Sequence, residues 1–180
     1  MHSLVVFATA GALHTAQDLA GRVMEGVPSA SVEVVAEETL ALVAVATARA
    51  AEVGLGGGPE SASVSAALQE VPLLYREYFA AAAALEDPDM ANALADATSR
   101  DRARMVRKLD FYRAHLPEGA FPGERTLTDK LPLWVGRVSG PGLTTNPDEF
   151  AVQIEAAPVL ALHLRLVLAY ARRARSEAGG

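Results

Sequence analysis

The 180-residue chain contains no cysteine. Disulfide bonds, thiolate nucleophiles and cysteine-ligated zinc are therefore excluded. Histidine is scarce as well, and its four copies are His2, His14, His115 and His163. No two of them have the three- or four-residue spacing that places two metal ligands on one helical face. We therefore expect no metal site.

Motifs for covalent or nucleotide chemistry are absent too. The sequence has no G-x-S-x-G nucleophile turn, no G-x-G-x-x-G and no lysine after its glycine-rich segment. The N-terminal residues lack the basic start of a signal peptide. We expect a non-enzymatic, cytoplasmic protein that has no catalytic residues and holds no cofactor.

The net charge of −6 is unevenly distributed along the chain. Residues 1–95 carry 12 acids and 3 bases, whereas residues 96–180 carry 10 acids and 13 bases. Such asymmetry is typical of a partner-binding pole or of two oppositely charged halves that pack together. We favour the second interpretation.

The most apolar stretch is residues 158–170, which only His163 and Arg165 interrupt. A helix that is apolar on nearly every side must be covered by other helices, by a membrane or by another copy of itself. The run is shorter than the ~18 residues that a membrane span needs. We therefore expect no membrane span, and a C-terminal helix that is central in the bundle or lies at a subunit interface.

Apolar residues recur at helical spacing through most of the chain. The pattern predicts one domain, residues 1–180, that is an all-α bundle of about five helices. For residues 3–25 a strand at 4–7 followed by a helix at 14–25 is an alternative, and we favour one helix. The predicted helices cover residues 3–25, 32–53, 61–86, 88–115, capped by Asp87, and 147 to the C-terminal glycines, capped by Asn146.

Two segments break the helical pattern. Residues 54–60 are expected to form a mobile loop, because consecutive glycines and a proline cannot continue a helix. Residues 117–147 contain five prolines and five glycines and are expected to be irregular, with a short strand or extended segment at 131–138. Trp134, the only tryptophan, is expected to anchor this segment on the helices.

A basic cluster is the first candidate binding site. Arg100, Arg104 and Arg107 lie on one flank of the fourth predicted helix, and Arg165 and Arg172 lie seven residues apart on the last one. Arginines arranged in this way can bind phosphates or an acidic protein surface. Aspartates are interleaved with the cluster. We therefore favour a solvated or salt-bridged face over a partner-binding one, and we place nucleic acid last.

An aromatic and titratable set is the second candidate site. Tyr75, Glu77 and Tyr78 come close together on the third predicted helix. A pocket that joined them to Trp134 and His163 would suit a small ligand or acid–base chemistry. The simpler interpretation of His163 is a hydrogen-bonded core residue, because its neighbours along the helix are apolar.

By elimination we expect an interaction or assembly protein that acts through helix packing, either self-associated or as one subunit of a larger complex. The physical reason is that the last helix has more apolar sides than a small bundle covers. Two alternatives remain: a polyanion or nucleic-acid binder that uses residues 100–113, and a small-molecule-binding protein or enzyme that uses the predicted pocket.

Overall fold

The computed structural model describes residues 1–27, 30–86, 91–139 and 147–178. Over this part of the chain the backbone forms α-helices and no strand, which confirms the predicted all-α fold. The described helices are α1 (His2–Gly26), α2 (Val32–Leu55), α3 (Pro59–Glu86), α4 (Ala91–His115), α5 (Glu124–Ser139) and α6 (Pro147–Ala178). The predicted caps Asp87 and Asn146 lie outside the described residues.

α1 is a single helix, so the alternative of a strand at residues 4–7 is wrong. Its buried apolar residues are spaced three or four apart, as in one face of a helix: Leu4, Ala8, Ala12, Ala16, Leu19 and Val23. A strand would instead have turned every second residue toward the core. The remaining side of α1 faces solvent.

The centre of the bundle is α2 rather than the C-terminal helix. α2 packs against each of the other five described helices, and every residue from Ala41 to Ala51 is buried. Most of these side chains are alanine or valine, and such small side chains let neighbouring helices approach closely. α6 packs on α1, α2 and α5 and keeps one side in solvent. Of the two predicted places for the C-terminal helix, the centre of the bundle is therefore wrong, and a subunit interface stays a prediction.

Residues 131–138 belong to α5, so the prediction of a strand or extended segment there is also wrong. The buried residues of α5 recur at the spacing of one helical face: Leu127, Leu131, Trp134, Val135 and Val138. Pro132 and Gly136 occupy exposed positions of the same helix. Because both residue types are typical of irregular segments, the sequence does not reveal this helix. The predicted irregular segment 117–147 thus contains a helix, which accounts for six helices instead of five.

α2 and α3 are joined by a tight turn of three glycines, Gly56 to Gly58, which is shorter than the predicted loop. Their φ angles lie between 81° and 91°, a region that other residues rarely adopt. Gly54 still belongs to α2, and a Cβ atom there would lie 2.5 Å from the Cβ of Ala171. This glycine serves the close packing of α2 on α6 rather than a loop.

α1 and α6 pack side by side in opposite directions. The ring of Phe7 stacks on that of Tyr170 with the centroids 4.8 Å apart, and Arg22 lies 3.6 Å from Glu155. An early residue of α1 thus meets a late residue of α6, and the reverse holds at the other end. The solvent-facing sides of the two helices therefore adjoin along their length.

Candidate functional site

A buried ion network lies where α4 and α5 pack on α2. Glu38 is only 2% exposed, and its carboxylate accepts hydrogen bonds from Lys108, Tyr112 and Arg137. The bond from Lys108 Nζ is 2.7 Å long, and Arg137 donates through Nε and Nη2 at 2.7 and 2.8 Å. The Arg137 guanidinium also lies 4.2 Å from the centre of the Phe111 ring. One carboxylate on the central helix therefore holds both later helices in place.

The network keeps Glu38 ionised. Burial alone raises the pKa of this carboxyl group, but hydrogen bonds from Arg137, Lys108 and Tyr112 outweigh it, and the pKa of Glu38 lies below its usual value. Burial and the charge of Glu38 raise the pKa of Tyr112, which therefore stays a hydrogen-bond donor. Glu38 thus acts as a hydrogen-bond acceptor and Tyr112 as a donor, which suits a structural role.

The basic cluster on α4 continues this network. Arg104 donates hydrogen bonds to Glu33 and Glu37 of α2. Arg100 and Arg107 are solvent-exposed on the same helix. The central arginine of the cluster is therefore bound to the acidic first half of the chain, as the interpretation of two oppositely charged, packed halves predicts.

A polar cleft lies at the end of the bundle where α2 meets α3 and α4. The buried side chain of Arg49 donates to both carboxylate oxygens of Glu52, which also accepts a hydrogen bond from Ser65. Ser65 in turn accepts from Gln69, whose side-chain oxygen accepts from Arg113. These residues line an open cleft of about 580 Å³. These side chains are hydrogen-bond partners of one another, so the bonds hold α2, α3 and α4 together. They indicate no particular ligand.

Sequence reasoning missed both polar networks. The sequence feature that could have indicated them is the presence of two charged residues, Glu38 and Arg49, on the same stripe of α2 as the buried Leu42 and Val45. A charged residue within an apolar stripe needs a partner when the helix is buried. The partners come mostly from α3, α4 and α5, and the sequence alone does not identify them.

The bundle leaves large apolar side chains exposed on the adjoining sides of α1 and α6. Leu162 and Leu166 of α6 are 60% and 51% exposed, and Phe7 of α1 is 38% exposed. The stacked rings of Phe7 and Tyr170 lie between the two helices. We call this surface, formed by Phe7, Leu162, Leu166 and Tyr170, the α1–α6 face.

Charged residues lie only around the α1–α6 face. Residues 2–17 of α1 include no Asp, Glu, Lys or Arg. Arg165 is exposed and lies three residues after Leu162, which places it at the border of the face. Arg172, also exposed, follows two turns later on α6. One of the predicted partner-binding arginines, Arg165, therefore lies beside an apolar surface. Arg172 lies about 120° around α6 from Leu166, and the three on α4 belong to a helix that packs on α2 and α3.

The structure separates the residues of the predicted pocket. Trp134 is fully buried and donates a hydrogen bond to α2, so it anchors α5 as predicted. Tyr75 lines an apolar pocket of about 130 Å³ between α1 and α2, and Glu77 lines a groove between α3 and α4. Tyr78 is 69% exposed. The three residues on α3 thus face different neighbours, and Trp134 is not beside them.

His163 lies in the core, as its simpler interpretation predicts. Its ring nitrogen Nε2 lies 2.8 Å from the hydroxyl oxygen of Thr47, and the ring packs against Gly11 of α1. Burial lowers the pKa of His163 to about 4. The side chain is therefore neutral at physiological pH and joins α1, α2 and α6.

No known protein family, curated protein or solved structure matches this chain. Within the described ranges, no group of His, Asp or Glu side chains is arranged to hold a metal ion. Residues 151–178 of α6 are long and apolar enough to cross a membrane, with a mean hydropathy of 1.5. The core helix of a bundle meets the same criteria, and α6 buries Leu160, Leu164 and Val167 against its neighbours.

Proposed function

We propose that this protein is a non-enzymatic interaction or assembly module that binds another protein through the α1–α6 face. The observation that carries the proposal is the exposure of Leu162 and Leu166, at 60% and 51%, beside the stacked rings of Phe7 and Tyr170. Apolar surface left in water costs about 25 cal/mol per Å² relative to burial. Contiguous apolar patches with charged residues around them are typical of protein interaction sites.

The shape of the face suits a helix as the partner. Two adjoining antiparallel helices present rows of side chains, and a third helix can place its own apolar stripe along them. We therefore expect the partner to contribute an amphipathic helix.

A double variant, Leu162→Glu with Leu166→Glu, tests the proposal. Both side chains are exposed, so the buried side of α6 stays unchanged while two charges enter the face. The tagged chain and the variant are cross-linked in the protein's own cells and purified, and the attached chains are identified by mass spectrometry. We expect at least one chain to be attached to the wild type and lost from the variant, because an interface does not readily bury unpaired carboxylates. That chain should then bind the purified wild type directly.

Ile154→Glu is the matched control. Ile154 is 58% exposed on the same helix, but it lies roughly 80–120° around the helix from the two leucines. This variant should keep the chains that the wild type binds. Identical sets of attached chains for the wild type and the double variant would contradict the proposal.

A further inference from the structure

The imidazole of His163 lies between the backbone of α1 and the hydroxyl group of Thr47 on α2. Only 7% of the residue is exposed, and its Nε2 atom lies 2.8 Å from the Thr47 oxygen. The edge of the ring that carries Nδ1 faces α1, where a Cβ atom at Gly11 would lie 2.8 Å from Cε1 and 2.9 Å from Nδ1. The backbone of α1 therefore covers the ring directly, without a side chain at that point.

These surroundings suit a neutral imidazole and not a charged one. An imidazolium donates a hydrogen bond from each ring nitrogen, whereas a neutral imidazole donates from one and accepts at the other. The hydroxyl group of Thr47 serves Nε2 in either state, because it can both donate and accept. Gly11 has no side chain that could accept a bond from Nδ1. A second proton on the ring therefore creates a buried charge whose hydrogen bonds are incomplete.

The three helical segments that meet at His163 bring no carboxylate that would compensate this charge. Residues 2–17 of α1, 39–48 of α2 and 156–164 of α6 include no Asp, Glu, Lys or Arg. The titratable groups nearest to these segments are exposed or bound elsewhere: His2, His14, Glu155 and Arg165 at the surface, Asp18 with Arg22, Glu38 and Arg49 in the two polar networks, and Tyr170 stacked on Phe7.

We propose that His163 is a proton-sensitive contact of the bundle, and that its protonation in mildly acidic solution releases α1 from α2 and α6. Release brings the imidazolium into water, which solvates its charge and both of its N–H groups. α1 is the helix that leaves because it covers the ring, while α6 stays packed on α2 and α5. The ion pair of Arg22 with Glu155 joins α1 to α6 at 3.6 Å and is partly exposed, so it adds little to the attachment.

The burial of the ring defines the pH range of the release. Because burial disfavours the charged form, the pKa of His163 is about 4 in the packed state, and it returns to about 6.5 when α1 is released. The packed state therefore keeps its full advantage above pH 6.5 and loses it as the pH falls from 6.5 to 4. The ratio of released to packed molecules rises about 25-fold between pH 7.5 and pH 5. Glu38 stays ionised over this range, because its pKa lies below the usual value of 4.5.

Release of α1 separates Phe7 from Tyr170 and so divides the α1–α6 face. A protein bound to that face therefore loses its binding surface in acid. This regulation goes beyond the proposed function. The release itself is measured without any partner, so this inference can fail while the proposed function holds.

Hydrogen–deuterium exchange followed by mass spectrometry tests the release. Amide exchange is measured at pH 7.5 and pH 5 in the wild type, in His163→Gln and in His14→Gln, and each rate is expressed as a protection factor relative to the intrinsic rate at that pH. The protection factors of residues 8–19 should fall about 25-fold in the wild type and stay unchanged in His163→Gln, whose side chain is neutral at both pH values. His14 is exposed, so His14→Gln is the matched control and should behave as the wild type does.

The amides of α4 show whether α1 opens by itself. Local openings need less free energy than global unfolding, so at pH 5 the amides of α1 should be less protected than those of α4. Equal protection factors in the two helices would show that acid opens the whole bundle, and would overturn the proposal. So would constant protection of α1 in the wild type, or the same fall in His163→Gln. His163→Asn replaces the glutamine variant if that one does not fold.

Discussion

Gly54 and Gly21 both lie inside long helices, but only Gly54 faces a neighbouring helix. A Cβ atom at position 54 would lie 2.5 Å from the Cβ of Ala171 and 2.9 Å from the carbonyl oxygen of Leu168. At position 21 no atom lies within 4 Å. The lack of a side chain at Gly54 therefore allows α2 and α6 to approach as closely as they do.

We expect Gly54→Ala to lower the free energy of unfolding by about 1–3 kcal/mol, because the backbone of α6 cannot rotate away from the added methyl group. Gly21→Ala should raise it by about 0.5–1 kcal/mol, since alanine favours helix and the site is open. Urea unfolding followed by far-UV circular dichroism measures both changes. Equal effects of the two substitutions would contradict the close contact of α2 with α6.

The sequence predicts a buried, hydrogen-bonded His163 but not the partner of that bond. Its neighbours along α6 are apolar, and that pattern correctly indicates a core position. The partner, Thr47, is 116 residues away and lies on a helix that runs beside α6 only in the folded chain. Periodicity describes one helix at a time and gives no contact between distant segments.

At the scale of elements, Glu38 joins α4 and α5 to α2. Removing it in Glu38→Ala leaves Lys108, which is 8% exposed, and Arg137 without their shortest ion pairs. We expect the free energy of unfolding to fall by roughly 3 kcal/mol, since a buried charge that loses its partner is costly.

Glu77→Ala is the control for this prediction. Glu77 pairs with Arg102, and both side chains are more than a third exposed. Solvent screens such a pair, so the decrease in the free energy of unfolding should stay below about 1 kcal/mol. Both values come from the same chemical unfolding experiment. If Glu38→Ala lowered the free energy of unfolding no more than Glu77→Ala does, the network would not be what holds α4 and α5 on α2.

The extents of the first three helices could be predicted from the sequence to within two residues at each end, because their apolar residues follow the helical period without interruption. α5 could not, because Pro132 and Gly136 are typical of irregular segments and here occupy the exposed side of a helix. The central position of α2 could not be predicted from the sequence either. A sequence shows how apolar a helix is, and α6 is highly apolar, but it does not show that the smaller side chains of α2 admit five neighbours.

At the scale of the whole molecule, exposed large apolar side chains lie on α6 and on α3, among other places. The sequence indicated those on α6, whose run of leucines exceeds what one packing side needs. It did not indicate the exposure of Leu74, Tyr78 and Leu85 on α3, because α3 has apolar residues on two sides and periodicity does not tell which side packs in the core. That choice depends on where α2 and α4 pack, which only the assembled bundle shows.

A bundle organised around one helix should unfold as one unit, because the loss of any outer helix exposes the buried side of α2. Trp134 is the only tryptophan and is fully buried in α5, so its fluorescence reports whether α5 is attached, whereas far-UV circular dichroism reports all helices together. We expect the two signals to give the same midpoint in urea, measured at a concentration where the chain is a monomer. An earlier fluorescence transition would show that α5 leaves first, and the chain would then not behave as the single cooperative domain predicted for residues 1–180.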